Sequence, residues 1–304
     1  IKSIFKKVKK NSSINRLYFG FLSALYLKDK NSMIITRSLF SSFFLSIFKK
    51  YHFLELHNQI NGFSKIIFLS FGFLKSKYIQ KVIFITKSLE KNYKYKFSKS
   101  IVLPDAAEQK DFLRPKKIKR KIKKILYIGS FYKGRGINII LNVAKKLTKY
   151  NFELIGNRDD IVKNDFKKFK NIKITNFIKY KFVSKKISKA DLLLMPYSPN
   201  FVGINSKNLS SETSKFMSPL KMFEYLASGV PILSTEIKVL KEILKHKYNC
   251  IMIKKYNSNE WIKAIINFEK NFMLRKKISK NGLYTAKKYS WKNRVIKILK
   301  INRK

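Results

Sequence analysis

Short apolar runs of strand type alternate with segments of helical periodicity along nearly the whole chain. That alternation restricts the fold more than any other feature. In the first part, strand patterns at Met33–Thr36, Tyr51–His57, Lys81–Thr86 and Ser100–Leu103 alternate with helical ones at Ile4–Leu27, Phe40–Lys50, Phe63–Phe73 and Lys87–Tyr95. In the second, strands are expected at Ile125–Ile128, Phe152–Ile155, Ile172–Ile174, Asp191–Met195, Pro231–Ser234 and Cys250–Ile253. Helices are expected there at Ile137–Lys149, Phe182–Lys189, Pro219–Ser228, Ile237–Lys245, Asn259–Glu269, Leu274–Tyr289 and Trp291–Leu299. Within 137–149 the apolar residues fall at 137, 140, 141, 144 and 147, the spacing of one buried helix face. Strands alternating with helices predict α/β architecture with parallel sheets. The expected division is a first domain at 1–113, a basic linker at 114–124, a second domain at 125–286 and a C-terminal helix at 287–304 that packs back toward the first domain. Two such domains predict a cleft, with ligands beyond the carboxyl ends of the strands.

Composition narrows the function classes. Of the 304 residues 45% are hydrophobic and 14% aromatic, which excludes wholesale disorder. The single cysteine, Cys250, excludes an intramolecular disulfide and a cysteine-rich metal site. The three histidines, His52, His57 and His246, are scattered and form no metal-ligand spacing. The longest near-apolar stretch, Ser38–Phe48, is too short to span a bilayer, and no segment reads as a signal peptide. The formal net charge is +51, carried by 59 Lys and only 9 Arg. Specific nucleic-acid readers favour the bidentate contacts of arginine, so this balance disfavours nucleic acid. It fits a solvated Lys-rich surface, with an anionic membrane surface as the candidate partner. The stretch Arg114–Lys124 holds eight cations in eleven residues, each worth roughly 1 kcal/mol near an acidic membrane.

Two segments carry chemistry. In Gly129-Ser-Phe-Tyr-Lys-Gly-Arg-Gly136 a strand enters and a helix leaves. Glycines let the chain turn and a ligand approach, and a helix N-terminus suits a phosphate. Lys133 and Arg135 add full charges, although the loop is neither a P-loop nor G-x-G-x-x-G. An ordinary strand–helix turn is the alternative reading. In Ser218-Pro-Leu-Lys-Met-Phe-Glu-Tyr-Leu-Ala-Ser-Gly229, Ser218 fits the N-cap, Pro219 the first helical position and Gly229 the left-handed residue past the end. Leu220, Phe223, Leu226 and Ala227 are expected to pack inward. Glu224 among them reads either as half of a surface lysine pair or as a carboxylate that accepts ribose hydroxyls.

These residues resemble family 4 retaining glycosyltransferases of the GT-B type. The resemblance rests on Gly129–Gly136 with its apolar helix, on Lys221–Gly229 followed by Val230-Pro231-Ile232, on Ala190-Asp191 before a strand ending at Pro196, and on Tyr289-Ser-Trp291. It is specific over about Ile125–Leu299 and traceable earlier through Leu54–Asn58, Val82–Thr86 and Val102–Asp105. It implies two Rossmann-like parallel-sheet domains facing a cleft, with the first, acceptor-side domain incomplete because no counterpart of the opening strand and loop precedes Ile1. It also implies transfer of a sugar from a nucleotide-diphosphate sugar to a polysaccharide or lipid-linked acceptor, with retention, no metal and no cofactor. Under it Glu224 holds the ribose, His57 bonds the transferred sugar and Arg135 faces the leaving phosphate. Gly129, Ser130, Lys133, Gly136, Ser218, Pro219, Leu220 and Lys221 line the donor site. Two positions depart from the pattern: Phe216 stands where a glutamate is usual, and Ser130 where arginine is usual. The expected setting is cytoplasmic, peripheral on the inner membrane face. A non-catalytic nucleotide-sugar-binding remnant is the alternative, and a basic nucleic-acid-binding protein a weaker one.

Overall fold

The computed structural model describes residues 13–27, 32–60, 63–66, 68, 72–93, 99–114, 117–156, 169–200 and 213–302. Parts of the expected first helix, of the segment 63–73 and of the basic stretch lie outside these residues. The chain divides into two compact units, Ile1–Leu103 and Pro104–Lys304.

The first unit runs α1 (Ser13–Leu27), β1 (Ile35–Thr36), α2 (Leu39–Ile47), β2 (His52–Leu56), a short α3 (Phe63–Lys65), β3 (Ile79–Phe84), α4 (Lys87–Lys91) and β4 (Ser100–Val102). Its strands pair in sequence order, β1-β2-β3-β4, all parallel. Every residue of β2 is buried, His52 and Glu55 included, so its burial shows no strand-type alternation. Ser38 opens α2 as its N-cap, accepting a hydrogen bond from the Ser41 amide at 3.1 Å. Thr86 does the same for α4 through the Leu89 amide. Within 63–73 the described helix covers only Phe63–Lys65, and a 3-10 turn follows at Phe73–Lys75.

The second unit runs β5 (Lys124–Ile128), α5 (Ile137–Lys146), β6 (Asn151–Ile155), β7 (Ile172–Thr175), α6 (Val183–Ser188), β8 (Leu192–Met195), α7 (Leu220–Ser228), β9 (Ile232–Thr235), β10 (Ile251–Ile253), α8 (Ser258–Lys270), α9 (Phe272–Lys288) and α10 (Trp291–Asn302). Its sheet of six parallel strands has the order β10-β9-β8-β5-β6-β7. From β5 the chain steps outward to β6 and β7, then returns to β8 on the other side of β5. The strand order therefore reverses between β5 and β8, and the loops leaving these neighbours diverge there. That is the switch point at which open α/β sheets hold their ligands.

The sheet is covered on both faces. One cluster joins Leu126, Leu193, Met195 and Ile232 to Met222, Phe223 and Leu226 of α7. The other joins Ile125, Tyr127 and Phe152 to Ile140, Ala144, Trp261 and Ile265 of α5 and α8. Of the helix expected over Ile237–Lys245, only a 3-10 turn at Leu240–Glu242 forms. Asn249 sets its end: its carboxamide oxygen accepts from the Lys245 amide at 2.7 Å, and its NH2 donates to the Ile243 carbonyl at 3.0 Å. Lys247, at φ 57°, then turns the chain toward β10.

The division at 103/104 falls earlier than the expected boundary, because residues 104–112 are bonded into the second unit. The Asp105 amide donates to Ser218 Oγ, and Arg294 of α10 donates to the Pro104 carbonyl. Residues 119–124 of the basic stretch are likewise tied to this unit through their backbone, while most of their side chains stay exposed. The Arg275 guanidinium, buried to 1% exposure, donates to the carbonyls of Lys119, Arg120, Phe268 and Glu269. Asp191 accepts from the amides of Lys123 and Lys124, both at 2.9 Å, and pairs with the Lys119 ammonium. Glu153 takes Lys124 and Lys186. Burial works against this carboxylate, but the two lysines outweigh it and hold its pKa below the ordinary range. No described helix is long and apolar enough to cross a membrane.

Candidate donor site

The end of β5 and the start of α7 are tied directly together. The Ile128 amide donates to Tyr225 Oη at 3.0 Å, so the helix sits beside the loop that follows the strand. Gly129 begins that loop at φ 148°, and a Cβ there would collide with the Lys221 ammonium group. Gly136 closes it at φ 75° as the N-cap of α5, and a Cβ there would run into the Pro196 carbonyl just after β8. Gly136 therefore requires glycine because a neighbouring backbone fills the space, and Gly129 because of its positive φ, since the lysine tip facing it can move aside. The Ser198 amide, donating to the Gly134 carbonyl at 2.9 Å, joins the loops after β5 and β8.

Between these loops two cations share a wall of tyrosines. Lys221 Nζ lies 3.9 Å from the centre of the Tyr127 ring and 5.5 Å from that of Tyr197. The Arg135 guanidinium lies 5.1 Å from the Tyr197 ring centre and 5.4 Å from that of Tyr132. Such contacts stabilise a cation by roughly 0.5–2 kcal/mol. Lys221 Nζ is shielded from water and has no hydrogen-bond partner among the described residues. Burial, reinforced by Arg135, pushes its pKa well below the usual lysine range, while Glu224 opposes the shift.

Glu224 lies three residues along α7 from Lys221, on the same side of the helix. Burial raises its pKa, while the Tyr180 hydroxyl that donates to it and the nearby Lys221 charge work against that rise. Tyr180 itself is pushed up to about 12 by burial and by this carboxylate. The site is thus cationic toward the glycine loop and anionic one turn further along α7. That polarity suits a ligand with a phosphate end and a hydroxyl end.

The structure brings Gly129, Ser130, Arg135, Gly136, Lys221 and Glu224 together around this point. Lys133 belongs to the same loop but is solvent-exposed. Ser218 is not the N-cap of α7: its hydroxyl is taken by the Asp105 amide at 3.0 Å, and Pro219 caps the helix with extended backbone, ψ 122°. Leu220, as the first helical residue, is 50% exposed instead of packing inward. Phe216 is buried at 8% exposure. Gly229 ends α7 at φ 73°, in the left-handed conformation expected of it. Tyr127, Tyr180 and Tyr197 were not singled out in the sequence. The one available signal was a polar tip at Tyr127 within an otherwise apolar strand.

His57 belongs to the first unit. Its Nε2 meets Glu55 Oε1 at 2.5 Å, and Arg37 Nε donates to the same oxygen at 2.9 Å. Glu55 is 3% exposed, so Arg37 and His57 supply the partners a buried carboxylate needs. The three open onto a cavity of about 640 Å³ that also includes Arg16, Ser38 and Asn58. Glu55, hidden inside an apolar strand, is the residue here that sequence reasoning missed.

A six-stranded parallel sheet, a glycine loop at its switch point and a helix bearing Lys221 and Glu224 define a doubly wound α/β domain. Residues 122–271, within the second unit, match the family model described as "Glycosyl transferases group 1". An uncharacterized glycosyltransferase of Methanocaldococcus jannaschii is 26% identical over 183 residues, covering 58% of this chain and 46% of that relative. Among solved structures, sucrose-phosphate synthase from Thermosynechococcus elongatus superposes with a TM-score of 0.72 at 13% identity, over 95% of this chain and 78% of that one. A glycosyltransferase from Rickettsia africae gives 0.73 at 16% identity, over 97% and 83%. The HepE protein of Anabaena, solved in complex with UDP, gives 0.71 at 11% identity, over 95% and 83%. These likenesses establish the GT-B fold, to which both parallel-sheet units contribute.

Proposed function

We propose that the chain is a family 4 glycosyltransferase that moves a sugar, a hexose in the first instance, from a nucleotide-diphosphate sugar to a glycan or lipid-linked acceptor. Transfer proceeds with retention and without a metal ion or other cofactor. The observation that carries this reading is the pairing of Lys221 and Arg135 with Glu224 at the switch point of a group 1 glycosyltransferase domain.

The chemistry follows from the charges. Cleaving the sugar–phosphate bond develops positive charge on the anomeric carbon and negative charge on the departing diphosphate. Arg135, Lys221 and the amides opening α5 and α7 are assigned to the diphosphate, where positive charge stabilises the leaving group most. Lys133, on the exposed side of the loop, adds long-range attraction. Glu224 is assigned the ribose hydroxyls, for which Tyr180 currently substitutes as donor. Gly129, Ser130, Gly136, Pro219 and Leu220 supply backbone and wall. Ser218 acts indirectly, by fixing the chain that leads into α7. In the first unit His57, oriented by Glu55, is assigned a hydrogen bond to the transferred sugar.

UDP is the first donor nucleotide to test, since it is bound in the HepE complex. The net charge of +51, with Ile14, Leu17 and Tyr18 exposed on α1, supports an anionic membrane surface on the cytoplasmic side as the place where a lipid-linked acceptor is met. One observation favours the second reading, a nucleotide-sugar-binding remnant. Phe216 is buried where the resemblance places a carboxylate. Incubation with UDP-, GDP- and ADP-sugars separates the two readings. Release of one nucleoside diphosphate, with the anomeric configuration kept in the NMR spectrum of the product, supports the enzyme. Binding without release supports the remnant.

A further inference from the structure

Lys221 presents an unusual problem for its own site. Its nitrogen is shielded from water and lacks a hydrogen-bond partner among the described residues, yet a lysine carries three donors. The described groups around it are Tyr127 from β5, Arg135 from the glycine loop, Tyr197 from the loop after β8, and Glu224 from α7 itself. The tyrosine rings offer their faces, and the Glu224 carboxylate is engaged by Tyr180. A second full cation, Arg135, shares the Tyr197 ring with it. An empty site built this way disfavours a second positive charge, and a diphosphate in the same place reverses that preference.

We propose that Lys221 is a proton-coupled anchor: it stands largely as the neutral amine in the empty site and takes up one proton when a diphosphate binds. The proton comes from the buffer acid, which is left as its conjugate base, and the amine becomes an ammonium held between the phosphate oxygens and the Tyr127 ring. The inference rests on the donor-site reading above and adds its protonation chemistry. The downward shift produced by burial and by Arg135 agrees with it. Coupling of this kind makes the site selective for a ligand of full negative charge. It also releases the product more readily as pH rises.

The test is calorimetric titration of the full chain with UDP, GDP and ADP, in buffers of different ionisation enthalpy. It runs from about pH 7 to about pH 9.5, above the second phosphate ionisation near 6. The expected result is an enthalpy that depends on the buffer, reporting uptake approaching one proton per diphosphate. Affinity then falls by up to about tenfold per pH unit across the window between the empty and occupied pKa of Lys221. Lys221→Met should abolish the uptake and leave a weaker affinity that is flat with pH. Lys221→Arg should also abolish the uptake but bind more tightly than the methionine variant, because its charge is permanent. If the arginine variant fails to fold, the methionine variant decides, since methionine fills the same channel without a charge. Diphosphate binding with a buffer-independent enthalpy in the unaltered chain would overturn this inference and leave the donor site intact. Failure of every probe to bind would overturn both.

Discussion

Glu224 and Glu55 are two partly or fully buried carboxylates with different neighbours, and they make different predictions. Glu224→Ala removes charge-assisted hydrogen bonds from the ligand, so diphosphate affinity should fall by about 1.5–3 kcal/mol, roughly ten- to hundredfold, in a calorimetric titration. Its thermal stability should barely change, because Tyr180 is half in solvent and loses only a surface partner. Glu55→Gln leaves the ring of His57 without its anionic partner. Donor KM should be preserved and kcat should fall by an order of magnitude or more, as expected when a positioned group loses its orientation. A fall in affinity with kcat intact would count against the role given to His57. At this scale the sequence was only partly legible. Glu224 stood out because an acid interrupts the apolar face of a well-marked helix. The cage around Lys221 did not, because Tyr127, Arg135 and Tyr197 arrive from a strand and two loops that only the folded sheet brings together. Ser218 misled for a related reason: its hydroxyl had a local cap to fill, and the Asp105 amide, far away in the chain, won it.

Elements fix where those side chains stand, and their own weak points can be probed. Gly136→Ala combines a left-handed φ of 75° with a collision against the Pro196 carbonyl. It should destabilise the second unit by at least 1–3 kcal/mol in a urea titration, and it should weaken diphosphate binding through the displaced loop. Arg275→Met strips the donors from four carbonyls that join the basic stretch to the last turn of α8. A loss of about 3 kcal/mol or more is expected, since each orphaned buried acceptor costs about 1–3 kcal/mol. The Glu153 pairs make a pH prediction. Its folded pKa lies below the unfolded value, so its contribution is fully present above the ordinary carboxylate range and is lost as pH falls through the folded value. Glu153→Gln should therefore flatten the acid limb of the stability profile while leaving the basic limb unchanged. Strand positions were the most legible part of the chain, because buried parallel strands are short apolar runs bounded by loops. Helix extents were less so. The expected helix at 237–245 shrank to one 3-10 turn, because Asn249 satisfies the backbone groups a longer helix would have used.

For the molecule as a whole, the large positive charge and the group 1 domain point to different ligands. Charge alone gives nucleic-acid binding that weakens steeply with salt. A built donor site gives binding that depends on one nucleoside diphosphate and persists when the ions are screened, because its polar groups are fixed in a partly shielded pocket. The two accounts separate in a single experiment on the full chain. The melting temperature is measured against UDP, GDP, ADP and a short single-stranded DNA, at low and at high salt, with Glu224→Ala alongside. A ligand present at 100 times its Kd stabilises by about 2.7 kcal/mol, an upward shift of roughly 5 °C for a domain of this size. The account predicts such a shift with one diphosphate, retained at high salt and cut to about half or less in Glu224→Ala, whose tenfold or greater loss of affinity leaves about 1.4 kcal/mol at most. A shift with DNA alone that disappears at high salt, or no shift with any diphosphate, would contradict it.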